Sequence, residues 1–156
     1  MLQKPGIMRA MKTERMLGLD FGSKTVGVAI SDPFLLTAQP METIKRERET
    51  KLRRTLARID EIIRTEQIGR VVVGYPRHLS GEEGTRCQKA REFAERIERR
   101  TDVPVVLWDE RLSTVEAEGV LKEAGIRGAD MKQSVDKIAA ALILQNYLDS
   151  IRNSEG

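Results

Sequence analysis

The sequence predicts an α/β fold in which a mixed sheet carries helices on both faces, and three observations predict it. First, 156 residues at roughly 100 to 200 per domain make one domain. Second, two short strand patterns rich in Val, Ile and Leu and a third containing Pro40 follow one another near the N-terminus. Third, strand patterns then alternate with amphipathic helices, giving the order β-β-β-α-β-α-β-α-α. A meander followed by alternation implies a mixed sheet covered on both sides. The expected organisation is a leader over 1–14, one domain over 15–150 and a tail over 151–156.

Met16 to Asp20 and Thr25 to Asp32 read as two strands joined into a hairpin by Phe21-Gly22-Ser23-Lys24. Leu35 to Ile44 reads as a third, and Pro40, which cannot donate to a ladder, confines it to a sheet edge or a bulge. From Thr50 to Gln67 the residues Leu52, Leu56, Ile59 and Ile63 recur at helical spacing, with Gly69 as the expected stop. Val71 to Val73, ended by Gly74-Tyr75-Pro76, has the continuous apolar character of a buried parallel strand. Cys87, Ala90, Ala94 and Ile97 mark a second helix and make Cys87 a small core residue rather than a nucleophile. Val103 to Trp108 reads as another buried strand. Ser113 and Glu116 have capping-box spacing for a helix ending at Gly125, and Ser134 is the expected cap of a last helix through Leu148.

Composition narrows the function classes. The longest apolar run, Ile138 to Leu144, has seven residues, whereas a membrane span needs about 20. No membrane partner and a cytoplasmic location are expected. A single cysteine, Cys87, and a single histidine, His78, exclude an intrachain disulfide and any zinc site built from several such ligands. A metal site would be made of oxygen. The net charge is only +3, but its distribution is uneven. Seven bases lie between Lys45 and Arg58 against Glu47 and Glu49, and six between Arg86 and Arg100 against three acids. Such clusters suit either a phosphate backbone or a solvated helix face. With six aromatic residues in the chain, base stacking has little support.

The acids fall in a pattern. Asp20 closes the first strand beside Gly22, Asp109 and Glu110 close the last strand, and Asp136 is expected in the first turn of the final helix. Ligands of open α/β sheets bind beyond the carboxyl ends of the strands. Carboxylates gathered there repel one another, and a divalent cation relieves the repulsion. Oxygen ligands alone favour Mg²⁺ or Mn²⁺, and two such ions about 4 Å apart support phosphodiester hydrolysis. Each acid also has a plainer role: Asp20 in a turn, Asp136 at a helix dipole, Glu110 paired with Arg111.

The stretch Gly18-Leu19-Asp20-Phe21-Gly22-Ser23-Lys24-Thr25-Val26-Gly27-Val28-Ala29 resembles the opening motif of the YqgF/RuvX family. Val72-Val73-Gly74-Tyr75-Pro76 with Ser80-Gly81-Glu82-Glu83-Gly84 resembles its second, Asp109-Glu110-Arg111-Leu112-Ser113-Thr114 its third and Asp136-Lys137-Ile138-Ala139-Ala140 its fourth. The match covers about residues 15 to 150. The resemblance implies a ribonuclease H-like five-stranded sheet of order 3-2-1-4-5 with strand 2 antiparallel. It also implies a metal-dependent nuclease in which Asp20, Glu110 and Asp136 hold the metals and are catalytic. Lys24, Arg77 and Arg111 are then candidates to hold substrate phosphates, with a solvated surface role the alternative for Lys24, and His78 is a candidate to assist the water or contact a phosphate. Glu110 would reach across two strand spacings, about 10 Å. The adjacent strand ends in Gly74-Tyr75-Pro76 where relatives of ribonuclease H commonly carry an acid, which leaves the number of metals open.

Members of the family have been regarded as Holliday junction resolvases and as nucleases maturing the 5′ end of pre-16S ribosomal RNA. The RNA role is the preferred expectation, with branched DNA the alternative partner. A symmetric junction needs paired cuts and therefore a homodimer, while trimming one RNA strand suits a monomer. Gly18-x-Asp20-x-Gly22 is also similar to the phosphate hairpin of actin-type ATPases, but those need two lobes. A P-loop is rejected because Val26, Val28 and Ile30 alternate as a strand where a helix is required. A nucleic-acid-binding module that does not cut is the non-enzymatic alternative.

Overall fold

The computed structural model of the chain describes residues 14–22, 24–48, 51–75, 81–109, 119–120, 122–125 and 129–155. Its elements are β1 (Arg15–Phe21), β2 (Thr25–Ser31), β3 (Ala38–Lys45), α1 (Arg53–Thr65), β4 (Ile68–Tyr75), α2 (Gly81–Thr101), β5 (Val105–Asp109) and α3 (Ala129–Glu155). The five strands form one sheet in the order β3-β2-β1-β4-β5. β1 pairs antiparallel with β2 and parallel with β4, β2 antiparallel with β3, and β4 parallel with β5. The expected order and the antiparallel second strand are both present.

Alternation along the strands separates two cores. Leu17, Leu19, Val26, Val28, Val71 and Val73 pack against Leu56, Ile59 and Ile62 of α1 and Phe93 and Ile97 of α2. On the other face Met16, Ala29 and Val72 pack against Ala140, Ile143, Leu144 and Leu148 of α3. Each of the large aliphatic side chains fully buried here contributes about 1.5–3 kcal/mol. Among the described residues no helix is long and apolar enough to cross a membrane.

Pro40 lies in β3 at the sheet edge, one of the positions to which a strand proline is confined. Opposite β2 the register steps from Val28↔Glu42 to Ala29↔Pro40, so Met41 is the extra residue of a bulge. β3 begins at Ala38 rather than Leu35 because Asp32 organises the preceding loop. Its carboxylate accepts N–H bonds from Phe34, Leu36 and Thr37 at 3.1, 2.7 and 2.9 Å, and Leu35 takes a φ of 61°.

Several helix boundaries differ from expectation. α1 stops at Thr65, and the left-handed residue that turns the chain is Gln67, φ 55°; Gly69 is already inside β4. Cys87 in α2 is only partly buried. Ser134 does not cap α3, which starts five residues earlier at Ala129. The intervening Asp130, Met131, Lys132 and Gln133 contain no breaker, and most are good helix formers. α3 also runs past Leu148 to Glu155 because no Gly or Pro interrupts it, and Ile151 extends its packing on the second core. The expected tail is thus helical as far as residue 155.

Candidate active site

Asp20 is the last of the β1 residues that face α3, following Met16 and Gly18 in the alternation, and it is half-buried. Its Cα partners are Gly27 on β2 and Gly74 on β4. Two residues without side chains therefore flank it at the carboxyl end of β1.

Asp136 approaches the same spot from above. A Cβ built on Gly27 would meet the Asp136 carbonyl oxygen at 1.9 Å and the Lys137 nitrogen at 2.9 Å. Only glycine lets the backbone of α3 settle that close to the sheet. Gly18 performs the same service one helix segment later, where a Cβ would lie 2.7 Å from Leu144 Cβ and 3.0 Å from the Ala140 carbonyl. Thr25, on the same face of β2 as Gly27, donates a 2.7 Å hydrogen bond from Oγ1 to Asp136 Oδ2. The structure thus brings Asp136 over the residue directly opposite Asp20.

Because α3 begins at Ala129, Asp136 is its eighth residue, not part of its first turn. The plainer role as a partner of the helix dipole is removed, since that effect fades beyond the first turn. Among the described residues Asp136 carries no ion pair, and its hydrogen-bond partner is the neutral Thr25. A half-buried carboxylate so placed has one oxygen oriented and one free to bind. Asp20 and Asp136 supply oxygen alone, the donor chemistry of a hard dication. Among the described residues no group of three or more acids, His or Cys is close enough to hold a metal ion.

Lys24 is exposed in the turn between β1 and β2, and its carbonyl accepts the Arg46 N–H at 2.9 Å. The backbone of Asp109 ends β5 opposite Tyr75. Glu110, Arg77, His78 and Arg111 lie outside the described residues, as does the capping box of Ser113 and Glu116. At the end of that predicted helix Gly125 takes a φ of 80°, as the expected stop requires. The residue that sequence reasoning passed over is Thr25; a hydroxyl two positions before a glycine on the same strand face was its only signal.

The basic runs divide once folded. Arg58 is bound by Glu42 through two hydrogen bonds of 2.9 and 2.6 Å and by Glu61 at 2.6 Å. These carboxylates drive its pKa above the ordinary arginine value. Arg100 lies 3.5 Å from Asp60. Arg58 is thus spent on acids, whereas Arg100 shares Asp60 with Arg64.

The sequence profile of the RuvX family, described as "Holliday junction resolvase", matches residues 14–150. A curated protein of Agathobacter rectalis named "Putative pre-16S rRNA nuclease" is 54% identical over 140 residues, covering 90% of this chain and 98% of that one. One of the same name from Lachnospira eligens is 52% identical over 136 residues, covering 87% and 97%. Among solved structures, T. thermophilus RuvC in complex with a Holliday junction substrate superposes with a TM-score of 0.58 at 17% identity, covering 90% of this chain and 97% of that one. At that identity the likeness concerns the fold, which is ribonuclease H-like.

Proposed function

The chain belongs to the RuvX family of nucleases, and on that premise we propose that it hydrolyses phosphodiester bonds in the pre-16S ribosomal RNA with the help of a divalent cation, Mg²⁺ or Mn²⁺. The observation that carries the proposal is the pairing of Thr25 with Asp136 over Gly27, the Cα partner of Asp20. Asp20 and Asp136 would hold the cation, with Glu110 the third ligand on the family pattern. When bound, such an ion lowers the pKa of water and neutralises charge on the scissile phosphate.

The chain's own residues do the positioning. Thr25 restrains Asp136 Oδ2, and Gly27, by admitting the backbone of α3, brings that carboxylate to the strand end that carries Asp20. Lys24, exposed at the turn, would meet the next phosphate along, and Arg77, His78 and Arg111 are the remaining candidates for substrate contact. The choice of RNA is supported by the names of relatives at 54% and 52% identity. The family description favours the second reading, resolution of four-way DNA junctions.

Parallel cleavage of a pre-16S RNA and a four-way junction by purified protein tests both. RNA cleavage that needs Mg²⁺ or Mn²⁺ and falls roughly a hundredfold or more in Asp20→Asn, beyond the usual effect of outer-shell changes, is the expected result. Cleavage of the junction alone, by a dimer making paired cuts, would replace the RNA reading with the second. Equal cleavage by wild type and Asp20→Asn would end both.

A further inference from the structure

On the face of the sheet away from Asp20, a cleft of about 630 Å³ is lined by Lys45, Arg46, Lys51, Arg53, Arg54 and Arg96, with Glu47 as its single acid. It assembles the end of β3, the approach to α1 and the middle of α2. Arg46 anchors it. This residue is buried, its N–H donates to Lys24, its guanidinium donates to the Gly22 carbonyl, and its side chain lies 4.8 Å from the centre of the Phe21 ring. Phe21 directly follows Asp20, so the cleft and the acidic site open off opposite faces of one strand end.

The cations differ from those of a merely solvated helix face. Arg58, from the first basic run, is neutralised by Glu42 and Glu61, and Arg100, from the second, meets at 3.5 Å an Asp60 that Arg64 also approaches at 3.5 Å. Lys45, Arg53, Arg54 and Arg96 are exposed and pair with no acid among the described residues. Arg53 and Arg54 moreover stand in the first turn of α1, which has no acidic residue and no side-chain cap from Leu52. Cations at the positive end of a helix dipole disfavour the helix. An anion seated there is stabilised by helix N–H groups and guanidinium forks together. The nearest rings are already engaged, Phe21 stacking on Phe93 at 4.2 Å under Arg46, so the cleft suits backbone phosphates rather than bases.

We infer that this cleft holds the phosphates of a single nucleic-acid strand that continues from the bond at Asp20 around the β1–β2 turn past Lys24. The inference rests on the nuclease reading but concerns binding alone. Its ligand chemistry is a phosphodiester backbone, whose source is a ribo- or a deoxyribo-strand.

The test compares full-length Asp20→Asn protein, which leaves strands uncut, with the same protein carrying Arg53→Gln and Arg54→Gln. Glutamine keeps helix propensity close to arginine's. Fluorescence anisotropy with long RNA and DNA oligonucleotides across a salt series should show affinity about tenfold weaker near physiological salt. The slope of log affinity against log salt should be shallower by about 1.4, because two phosphates of a single strand are no longer neutralised. Weakening of either arm supports the cleft, and weakening of one arm alone names the strand. A control pair, Arg64→Gln with Arg152→Gln, removes the same charge from residues outside the cleft and should leave the slope unchanged. Unaltered binding in the cleft variant, or the same loss in the control, overturns the inference. Absence of cleavage by the protein with Asp20 intact would instead count against the nuclease reading and leave the binding comparison standing.

Discussion

Thr25 and Asp136, separated by 111 positions in the chain, are joined by a 2.7 Å hydrogen bond in which the threonine hydroxyl donates to the carboxylate. The bond ties the first residue of β2 to the third turn of α3. It orients one oxygen of an acid beside the strand end that carries Asp20.

Thr25→Val keeps the β-branched shape but deletes the donor. The expected outcome is a fall in kcat of about tenfold, the lower range for loss of an outer-shell partner of a ligand. KM for nucleic acid should change little, and the Mg²⁺ concentration for half-maximal rate should rise. Thr25→Ser should restore both. Metal-activation curves make the measurement, and an unchanged curve for Thr25→Val would remove the bond from the mechanism.

Gly27→Ala drives a methyl group into backbone, 1.9 Å from the Asp136 carbonyl oxygen. A carbonyl cannot rotate away as a side chain can, so α3 must lift. The expected loss is about 3 kcal/mol or more, at the severe end of overpacking, with activity falling further than the folded fraction does. Gly18→Ala meets the Leu144 side chain at 2.7 Å and should cost less. Urea denaturation of the two variants ranks them.

Asp32 provides a pH dependence. Burial pushes its carboxyl up, but N–H bonds from Thr37, Leu36 and Phe34 outweigh it and hold the pKa below the ordinary value. A depressed folded pKa means stabilisation that is complete above the unfolded carboxylate's pKa of about 3.9 and lost as pH falls through the lower folded value. Asp32→Ala should therefore cost about 1 kcal/mol at neutral pH, and the gap to wild type should close below about pH 4. A gap that persists in acid would contradict this account of the loop.

Arg58 pins the edge strand, since Glu42 belongs to β3 and Glu61 to α1. The pair is partly exposed, so screening limits its worth to about 1 kcal/mol. Arg58→Met with Glu42→Gln in a double-mutant cycle should show coupling of that size, reduced in high salt. Because Arg58 is already neutralised, its replacement should leave the salt slope of RNA binding unaltered, in contrast to Arg53 and Arg54.

Local pattern carried much of this fold. Alternation of apolar residues marked β1 and β2, Pro40 marked the edge strand and its bulge, and helical spacing marked α1 and α2. Boundaries were legible only where a residue's own conformational limits enforced them. Gln67 turns the chain in a left-handed conformation that glycine more often supplies, so Gly69 was a misleading signal. Ser134 had the composition of a cap, yet the helix formed through it, because capping competes with the helix propensity of what precedes it. That displacement moved Asp136 from a helix end to a helix interior.

From the sequence by itself came an oxygen-only donor set, the acids at positions 20, 109, 110 and 136, and two basic runs suited to either a phosphate backbone or a solvated helix face. Only the tertiary structure decided that Asp136 sits over Gly27 under the hold of Thr25, and which arginines are spent on acids and which face a shared cleft. The reason is physical. Periodicity is a property of neighbours along the chain, whereas the approach of α3 to the sheet and the meeting of β3, α1 and α2 depend on packing between segments far apart in sequence, where an absent Cβ or one acid in reach changes the outcome.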